Sequence, residues 1–128
     1  MLRKATPADI PGIIALVNQN LDKLLPRSAE EYLELIDLTW VVEEAGEIVG
    51  CATLEVYSPK IAEIRSVAVR HDRRHKGYGG QLVRAAADEA KRRKIHEVMV
   101  ITSTPEFFQE LGFGACLHEK YALFLGGK

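Results

Sequence analysis

The segment at 74–80, which reads RHKGYGG, combines basic side chains with three closely spaced glycines. Its glycines, Gly77, Gly79 and Gly80, would let a ligand approach the backbone without a Cβ in the way. A strongly helical pattern begins at Gln81, and the first N–H groups of a helix have no partners within it. Those donors and the helix dipole attract anions. The segment therefore predicts a turn that binds a phosphate or pyrophosphate.

The surroundings of this turn strengthen the prediction. A strand-like run at 62–69 precedes it, and Arg73, Arg74 and Lys76 add positive charge. The glycine spacing fits neither a Walker A loop, G-x-x-x-x-G-K-[ST], nor the dinucleotide-binding fingerprint, G-x-G-x-x-G. An ordinary glycine turn without a ligand is the alternative, because short glycine patterns recur by chance.

Hydrophobic periodicity predicts helices alternating with strands along the chain. Thr6 and Ser28 occupy capping positions of two helices, and Gly112 follows the last one. The helices are predicted at 7–20, 28–35, 81–94 and 104–111. The strands are predicted at 39–44, 47–56, 61–69, 97–102, 114–118 and 121–125. Connecting strand 61–69 to strand 97–102 through a helix makes a parallel crossover, expected to be right-handed.

The composition is that of an ordinary globular protein, and a single domain spanning 1–128 is expected. The chain is 47% hydrophobic and 27% charged, with a formal net charge of -1. This balance gives no global attraction to nucleic acid or to an anionic membrane, so neither is expected as a partner. The start lacks an apolar stretch of signal-peptide length and no window is apolar enough to span a membrane, so a cytoplasmic protein is expected.

Cysteines and basic residues give weaker signals. Cys51 and Cys116 lie in strand-like surroundings without a C-x-x-C motif or a His/Cys cluster, so both are interpreted as buried free thiols and no metal site is predicted. Five basic residues against Asp72 give a net charge of +4 over 65–76, which predicts a phosphate partner. The basic run at 91–94 is interpreted as a solvated helix C-terminus.

Arg74, Gly77 and Gly79 occupy the fixed positions of the R-x-x-G-x-G pattern, and the chain resembles the GNAT acetyltransferases along its whole length. The resemblance implies an α/β (α+β) architecture, the GNAT acyl-CoA N-acyltransferase fold, with a mixed central sheet of about six to seven strands and about four helices. It also implies acetyl-CoA as cofactor, with coenzyme A as product, and a small-molecule amine as acceptor.

In GNAT enzymes the central strand splays from its parallel neighbour, and the pantetheine arm of the cofactor lies in the gap. The corresponding strands here are 67–69 and 98–102. Pairing of pantetheine with the strand would leave a backbone N–H near Val67 as an oxyanion hole. The cofactor-binding residues implied by the resemblance and by the turn are Val67, Ala68, Val69, Arg74, His75, Lys76, Gly77, Tyr78, Gly79, Gly80 and Phe108.

A catalytic base is needed because amines are mostly protonated at neutral pH. Glu63 is the candidate, because it precedes the cofactor-pairing residues and period-two alternation places it on one face with Arg65 and Val67. A glutamate that is solvated or paired with Arg65, with no catalytic role, is the alternative. Where many GNAT enzymes have a proton-donating tyrosine, this chain has Phe107 and Phe108, so water or another group would assist the thiolate, or it would leave unassisted.

A closer resemblance, to the acetyltransferase domain of the N-acetylglutamate synthase (ArgA-like) branch, is carried by three segments, 24–28, 62–69 and 105–113. It implies an acidic, glutamate-like amino acid as acceptor. Arg27 and Lys60 would hold the carboxylates of the acceptor, with Arg65 as a further substrate-binding cation. A surface role for Arg27 and a turn role for Lys60 are the alternatives.

Other functions stay open. At 103–104 the chain reads Ser-Thr, where the synthases carry another substrate-binding arginine. A GNAT enzyme acting on a protein N-terminus, a lysine or a polyamine is one alternative, and a non-catalytic acyl-CoA-binding module is another. A homodimer paired through the apolar strand at 121–125 is also expected.

Overall fold

The computed structural model describes residues 1–114, 123 and 125–126, and it arranges helices on both faces of one sheet. The strands are β1 (Leu2–Lys4), β2 (Thr39–Glu44), β3 (Glu47–Ser58), β4 (Ile61–Val69) and β5 (Glu97–Met99). The helices are α1 (Ile10–Asn18), α2 (Ala29–Glu34), α3 (Tyr78–Arg92) and α4 (Pro105–Glu110). Short 3₁₀ turns lie at Pro7–Asp9, Ile36–Leu38 and His71–Arg73.

The strands lie side by side in chain order, from β1 to β5. Neighbouring strands are antiparallel except β4 and β5, which are parallel and joined through α3. The predicted fold class is confirmed, with five strands among the described residues instead of six to seven. The strands predicted at 114–118 and 121–125, and with them the pairing edge expected for a homodimer, fall largely outside the described residues.

Local sequence signals explain where the first helices begin. Ser28 Oγ accepts a hydrogen bond from the Glu31 amide at 3.2 Å, and Glu31 Oε1 accepts one from the Ser28 amide at 3.0 Å. This reciprocal pair is the predicted capping box of α2. Pro7 starts the 3₁₀ turn before α1, where its missing N–H would have had no helical partner. None of the described helices has both the length and the apolar character that a membrane span requires.

β1 is absent from the sequence predictions, because three residues are too few to show an alternating pattern. Its backbone pairs with β2, Leu2 opposite Val42. The Arg3 guanidinium donates to both carboxylate oxygens of Asp9, at 2.7 and 2.9 Å. This two-bond ion pair ties the edge strand to the turn that precedes α1.

Two apolar clusters fill the two faces of the sheet. On the α3 face, Leu82, Ala86 and Ala90 are fully buried against β3 and β4, and the small alanines let the helix approach closely, as predicted. On the opposite face, α1 and α2 cover Cys51 of β3, and Tyr32 of α2 is buried in the same cluster. The sheet is therefore covered on both sides where the central strands run.

β4 contains a bulge at Ser66, whose φ is +56°. Thr53 of β3 lies opposite Arg65, but Cys51 lies opposite Ala68. Over this stretch β4 therefore has one residue more than β3, which is the definition of a bulge.

The bulge reverses the alternation of side chains along β4. Glu63 and Arg65 point away from the α3 face, whose cluster contains Ala62 and Ile64, whereas Val67 beyond the bulge packs against that cluster. The prediction that Glu63, Arg65 and Val67 share a face is therefore wrong for Val67. Period-two alternation fails there because an extra residue shifts the register by one.

The Arg3–Asp9 pair predicts a pH dependence of stability. Hydrogen bonds from Arg3 hold the pKa of Asp9 down, at about 2, although burial acts to raise it. A lowered pKa stabilises the fold above the unfolded-state value near 4, and this contribution is lost as the pH falls towards 2. Between pH 5 and 2 the free energy of unfolding of the wild type should fall by about 1–2 kcal/mol more than that of Asp9→Asn.

Urea denaturation across this pH range measures the difference. Asp88→Asn, at an exposed position of α3, is the control and should keep the wild-type slope. An Asp9→Asn profile parallel to that of the wild type would show that the ion pair does not contribute.

Candidate active site

β4 and β5 pair over a short length and then diverge. From the start of β5 to its end, the pairs are Ile61 with Glu97, Ala62 with Val98 and Glu63 with Met99. β5 ends there, three residues before the predicted end at Thr102. Beyond this point, 67–69 and 100–104 form two walls of an open cavity of about 650 Å³, which we call the β4–β5 cavity. The predicted splaying of the two strands is thus present.

The N-terminus of α3 forms one end of the β4–β5 cavity. The Gln81 amide donates to the Gly77 carbonyl at 3.1 Å, so the amides at 78–80 precede the first helical hydrogen bond and have no acceptor within the helix. Gly77 has a φ of +83°, which favours glycine. At Gly79 a Cβ would lie 3.0 Å from the Phe107 ring. Strand, glycine turn and helix follow one another as predicted, and the turn opens into the cavity.

The predicted basic cluster is largely neutralised by carboxylates that are distant in sequence. Arg70 donates to Glu47 at 2.7 Å and to Asp72 at 2.6 Å, and Arg73 donates to Glu44 at 2.5 Å. Glu44 and Glu47 flank the β2–β3 turn, outside the window that gave +4. The +4 estimate is therefore wrong as a local charge, because folding brings these carboxylates to the arginines.

Arg74 has no carboxylate partner among the residues that the structure describes. Its Nη2 donates to Asn20 Oδ1 at 2.8 Å, and its Nε donates to the Val69 carbonyl at 3.4 Å. Both partners are neutral, so they orient the guanidinium without cancelling its charge. His75 also lines the cavity, whereas Lys76 is exposed and lies outside its wall. Arg74 and His75 thus supply the side-chain donors at this end.

Tyr78 anchors the start of α3 to the β2–β3 turn. Its hydroxyl donates a short hydrogen bond to Glu44, which also accepts from Arg73. These two hydrogen bonds lower the pKa of Glu44, and the same contact with Glu44 raises the pKa of Tyr78. The Tyr78 hydroxyl therefore helps to hold the start of α3 in place, and Tyr78 also lines the cavity.

Glu63 lines the cavity near the end of the β4–β5 pairing and is 7% exposed. The Tyr57 hydroxyl donates to Glu63 Oε1 at 2.5 Å, and Arg65 Nε lies 3.9 Å from Glu63 Oε2. Partial burial and this contact with Glu63 raise the pKa of Tyr57 to about 12, so Tyr57 stays protonated at neutral pH. Glu63 thus has a fixed donor on one oxygen, and its other oxygen is near a cation.

Glu55 joins two of the predicted substrate-binding residues. Its Oε1 accepts from Arg27 Nη2 at 2.8 Å and from Arg65 Nη1 at 3.1 Å. Burial acts to raise the pKa of Glu55, but the hydrogen bonds and the attraction to both arginines outweigh it and lower the pKa. We call Arg27, Glu55, Tyr57, Glu63 and Arg65 together the β4 polar cluster.

Glu55 and Tyr57 are absent from the residues predicted for the site, although a weak sequence signal for them exists. They are two apart on β3, and Glu55 lies opposite Glu63 across the β3–β4 pairing. A hairpin alignment of the two strands would have placed them beside Glu63 and Arg65. Lys60, by contrast, is exposed at the β3–β4 turn, where its amide donates to Ser58 Oγ at 3.0 Å. The structure therefore brings Arg27 and Arg65 together, and Lys60 is not a member of their cluster.

Aromatic rings form the wall contributed by α4. Phe108 is buried and packs edge to face against Phe107 at 5.0 Å and against Phe113 at 5.6 Å, measured between ring centroids. Phe107 and Phe108 both line the cavity and carry no ionisable group. This wall can pack against an apolar or aliphatic ligand part, but it cannot donate a proton.

Cys51 has a structural role. It is buried on the α1 face, its thiol donates to the Ser66 carbonyl at 3.3 Å, and burial raises its pKa to about 12. A thiol that stays protonated is a poor nucleophile, so the prediction of a buried free thiol is confirmed for Cys51. Cys116 lies outside the described residues. No grouping of His, Cys, Asp and Glu suited to a metal ion occurs among the residues that the structure describes.

Comparison with known proteins shows the same fold around bound coenzyme A. A Mycobacterium tuberculosis protein crystallised in complex with CoA and NLQ superposes with a TM-score of 0.86 at 30% identity, covering 91% of this chain and 73% of that one. N-acetylglutamate synthase from Neisseria gonorrhoeae, complexed with coenzyme A and N-acetyl-glutamate, gives a TM-score of 0.84 at 30% identity, covering 93% of this chain and 29% of that one.

Sequence similarity agrees with the structural comparison. The amino-acid acetyltransferase of Aeromonas salmonicida is 37% identical over 115 residues, which cover 87% of this chain and 26% of that protein. The chain thus spans about a quarter of the length of this relative. The model of the Acetyltransferase (GNAT) family matches residues 14–113, and we conclude that the chain belongs to this family.

Proposed function

We propose that this chain is an acetyl-CoA-dependent N-acetyltransferase whose acceptor is a small amino acid. The observation that carries the proposal is the β4–β5 cavity. On the side facing β5, residues 67–69 of β4 lack a strand partner among the described residues, and this open backbone leads to the amides at the start of α3. A strand edge next to an anion-binding turn suits a ligand that has both amide groups and phosphates.

The residues present fit the two chemically different parts of coenzyme A. The amides at 78–80, together with Arg74 and His75, offer N–H donors and positive charge to a pyrophosphate. The backbone at 67–69 can pair with the amides of the pantetheine arm, and Phe107 and Phe108 can cover its aliphatic part. Lys76, whose side chain is exposed, remains a predicted contact of a phosphate of the cofactor that faces solvent. Bound acetyl-CoA supplies the thioester that an amine attacks and the thiol that leaves.

Glu63 is the proposed base. It lines the cavity at the point where β4 and β5 separate, and it is nearly buried, so a proton on the acceptor amine could reach it without crossing bulk water. Tyr57 fixes Oε1 by its hydrogen bond, which leaves Oε2 to receive the proton. The alternative interpretation, a glutamate paired only with Arg65, fits less well. Arg65 Nε lies 3.9 Å from Glu63 Oε2, which is too far for a hydrogen bond.

The leaving thiolate has no phenolic donor on α4, where the rings are Phe107 and Phe108. Because a thiol has a pKa near 8.5, a thiolate is a good leaving group at neutral pH, and water can protonate it. The oxyanion contact near Val67 stays part of the proposal. It requires only a backbone N–H on the open side of β4.

An amino-acid acceptor is supported by the β4 polar cluster and by the names of the relatives. Arg65 lines the cavity next to Glu63, so an α-amino acid could place its amine at Glu63 and its carboxylate at Arg65. Arg27 lies behind them, bonded to Glu55. Glutamate, the acceptor implied by the sequence resemblance, is the first amino acid to test. Lys60 would contribute only if its exposed side chain folded over the bound acceptor.

Release of coenzyme A thiol tests the function directly. The assay would combine acetyl-CoA with glutamate, glutamine, neutral amino acids, a polyamine and a peptide with a free N-terminus. The proposal expects turnover with free amino acids. Turnover confined to the polyamine or the peptide would contradict the amino-acid acceptor. Calorimetric binding of coenzyme A without turnover on any amine would instead identify a non-catalytic acyl-CoA-binding module.

Replacing the base should affect turnover and leave cofactor binding intact. Glu63→Gln keeps the shape of the side chain but cannot accept a proton, so kcat should fall by roughly 10²- to 10⁴-fold. The calorimetric Kd for coenzyme A should stay unchanged, because Glu63 is not at the end of the cavity formed by the amides at 78–80, Arg74 and His75, which we call the anion end. Glu34→Gln, at an exposed site on α2, is the matched control. An unchanged kcat for Glu63→Gln would assign the base elsewhere.

Removing the charge at the anion end should have the opposite effect. Arg74→Ala deletes a guanidinium that is not neutralised by its neighbours, so KM for acetyl-CoA should rise by roughly 10- to 100-fold. KM for the acceptor should change little. Arg84→Ala, on the exposed face of α3, removes the same charge away from the cavity and should behave as wild type. Equal effects of the two variants would refute a specific phosphate contact.

A further inference from the structure

Glu55 is bonded to two of the cations that the sequence resemblance assigns to the carboxylates of the acceptor. One of its oxygens receives N–H donors from both Arg27 and Arg65, at 2.8 and 3.1 Å. The Arg27 side chain is 7% exposed, so this guanidinium is held against Glu55 away from bulk solvent. Two of the cations expected to bind substrate are therefore already paired with a carboxylate of the chain itself.

The β4 polar cluster is electrically neutral as a result. Arg27 and Arg65 supply two positive charges, and Glu55 and Glu63 supply two negative charges. The other cations of the cavity wall belong to its anion end. Arg73 is paired with Glu44 and Arg74 contacts Asn20, while the Lys23 amide donates to the Asn20 carbonyl, which places Lys23 one turn from the residue that Arg74 contacts.

We propose that Glu55 is a specificity-determining residue, which holds Arg27 and Arg65 and thereby selects amino-acid acceptors that have no second carboxylate. This inference rests on the proposed function and narrows its substrate class to zwitterionic amino acids with an uncharged side chain. It reverses the preference for glutamate that the sequence resemblance implies.

Charge matching explains the selection. A zwitterionic amino acid brings one ammonium and one carboxylate, which can face Glu63 and Arg65 respectively, and the cluster stays neutral. Glu55 uses Nη1 of Arg65, and a guanidinium has five N–H donors, so others remain for the α-carboxylate. A second carboxylate would meet Glu55 as a like charge. It could reach Arg27 only by displacing Glu55, which would break the ion pair between Glu55 and Arg27 in a partly buried site.

Paired amides and acids test the inference, since glutamine and glutamate have the same shape and differ in charge. In the coenzyme A release assay, wild type should use glutamine with a kcat/KM about ten-fold or more above that for glutamate. Asparagine and aspartate should show the same order. Glu55→Gln removes the negative charge that is paired with both arginines. The ratio of kcat/KM for glutamine to kcat/KM for glutamate should therefore fall by about ten-fold or more.

Three controls separate charge from shape and from folding. Glu47→Gln removes a carboxylate that is paired with Arg70 outside the β4–β5 cavity, and it should keep the wild-type ratio. Glu55→Asp keeps the negative charge and should keep the preference for glutamine. Thermal unfolding reports whether each variant is folded. If Glu55→Gln does not fold, the wild-type ratio alone still decides, because the inference requires a preference for glutamine.

The possible outcomes are distinct. A wild type that prefers glutamate, or a folded Glu55→Gln whose ratio equals that of the wild type, overturns the role of Glu55 and leaves acetyl transfer to amino acids standing. A wild type that releases no coenzyme A thiol with any amino acid overturns the proposed function, and the inference with it. The shifted ratio in Glu55→Gln, together with an unshifted ratio in Glu47→Gln, supports the inference.

Discussion

The early end of the pairing between β4 and β5 is the constraint on which the site depends. After Glu63 and Met99 the two parallel strands separate, so on its side facing β5 the second half of β4 has no strand partner among the residues that the structure describes. An open strand edge is normally a liability, because it invites pairing with other chains. Here the edge is enclosed by α3, α4 and residues 100–104, which confines it to a ligand of limited width.

The bulge at Ser66 gives the two halves of β4 different tasks. Before the bulge, Glu63 and Arg65 point to the face covered by α1 and α2, where the β4 polar cluster forms. After it, Val67 and Val69 point to the α3 face and help to seal the cavity beside the helix. Without the bulge, regular alternation would have placed Val67 and Val69 on the same face as Glu63 and Arg65, away from α3. One strand can therefore carry both an apolar wall and ionisable side chains, on opposite faces.

The sequence predicts those features that depend on near neighbours in the chain. The capping box at Ser28 and Glu31, the turn at Gly77 and the core strands follow from local spacing, and each is present. Partners that come from other strands are not predictable in this way. Glu55 reaches Arg65 through the β3–β4 register and Arg27 through the fold of the loop before α2, and β1 is too short to leave a pattern. The bulge at Ser66 is also silent in the sequence, because serine carries no strong preference for a positive φ.

The hydrogen bond between Tyr78 and Glu44 couples a surface hairpin to the start of α3, which forms one end of the cavity. The connection between β2 and β3 consists of Ala45 and Gly46, which both have positive φ, so its length and its geometry are fixed together. Surface loops ordinarily tolerate insertions. This one should not, because a longer connection would carry Glu44 away from the first turn of α3. Substitutions on the solvent-facing side of α3 should then be tolerated. The length of the β2–β3 loop should be conserved, although Ala45 and Gly46 do not line the cavity.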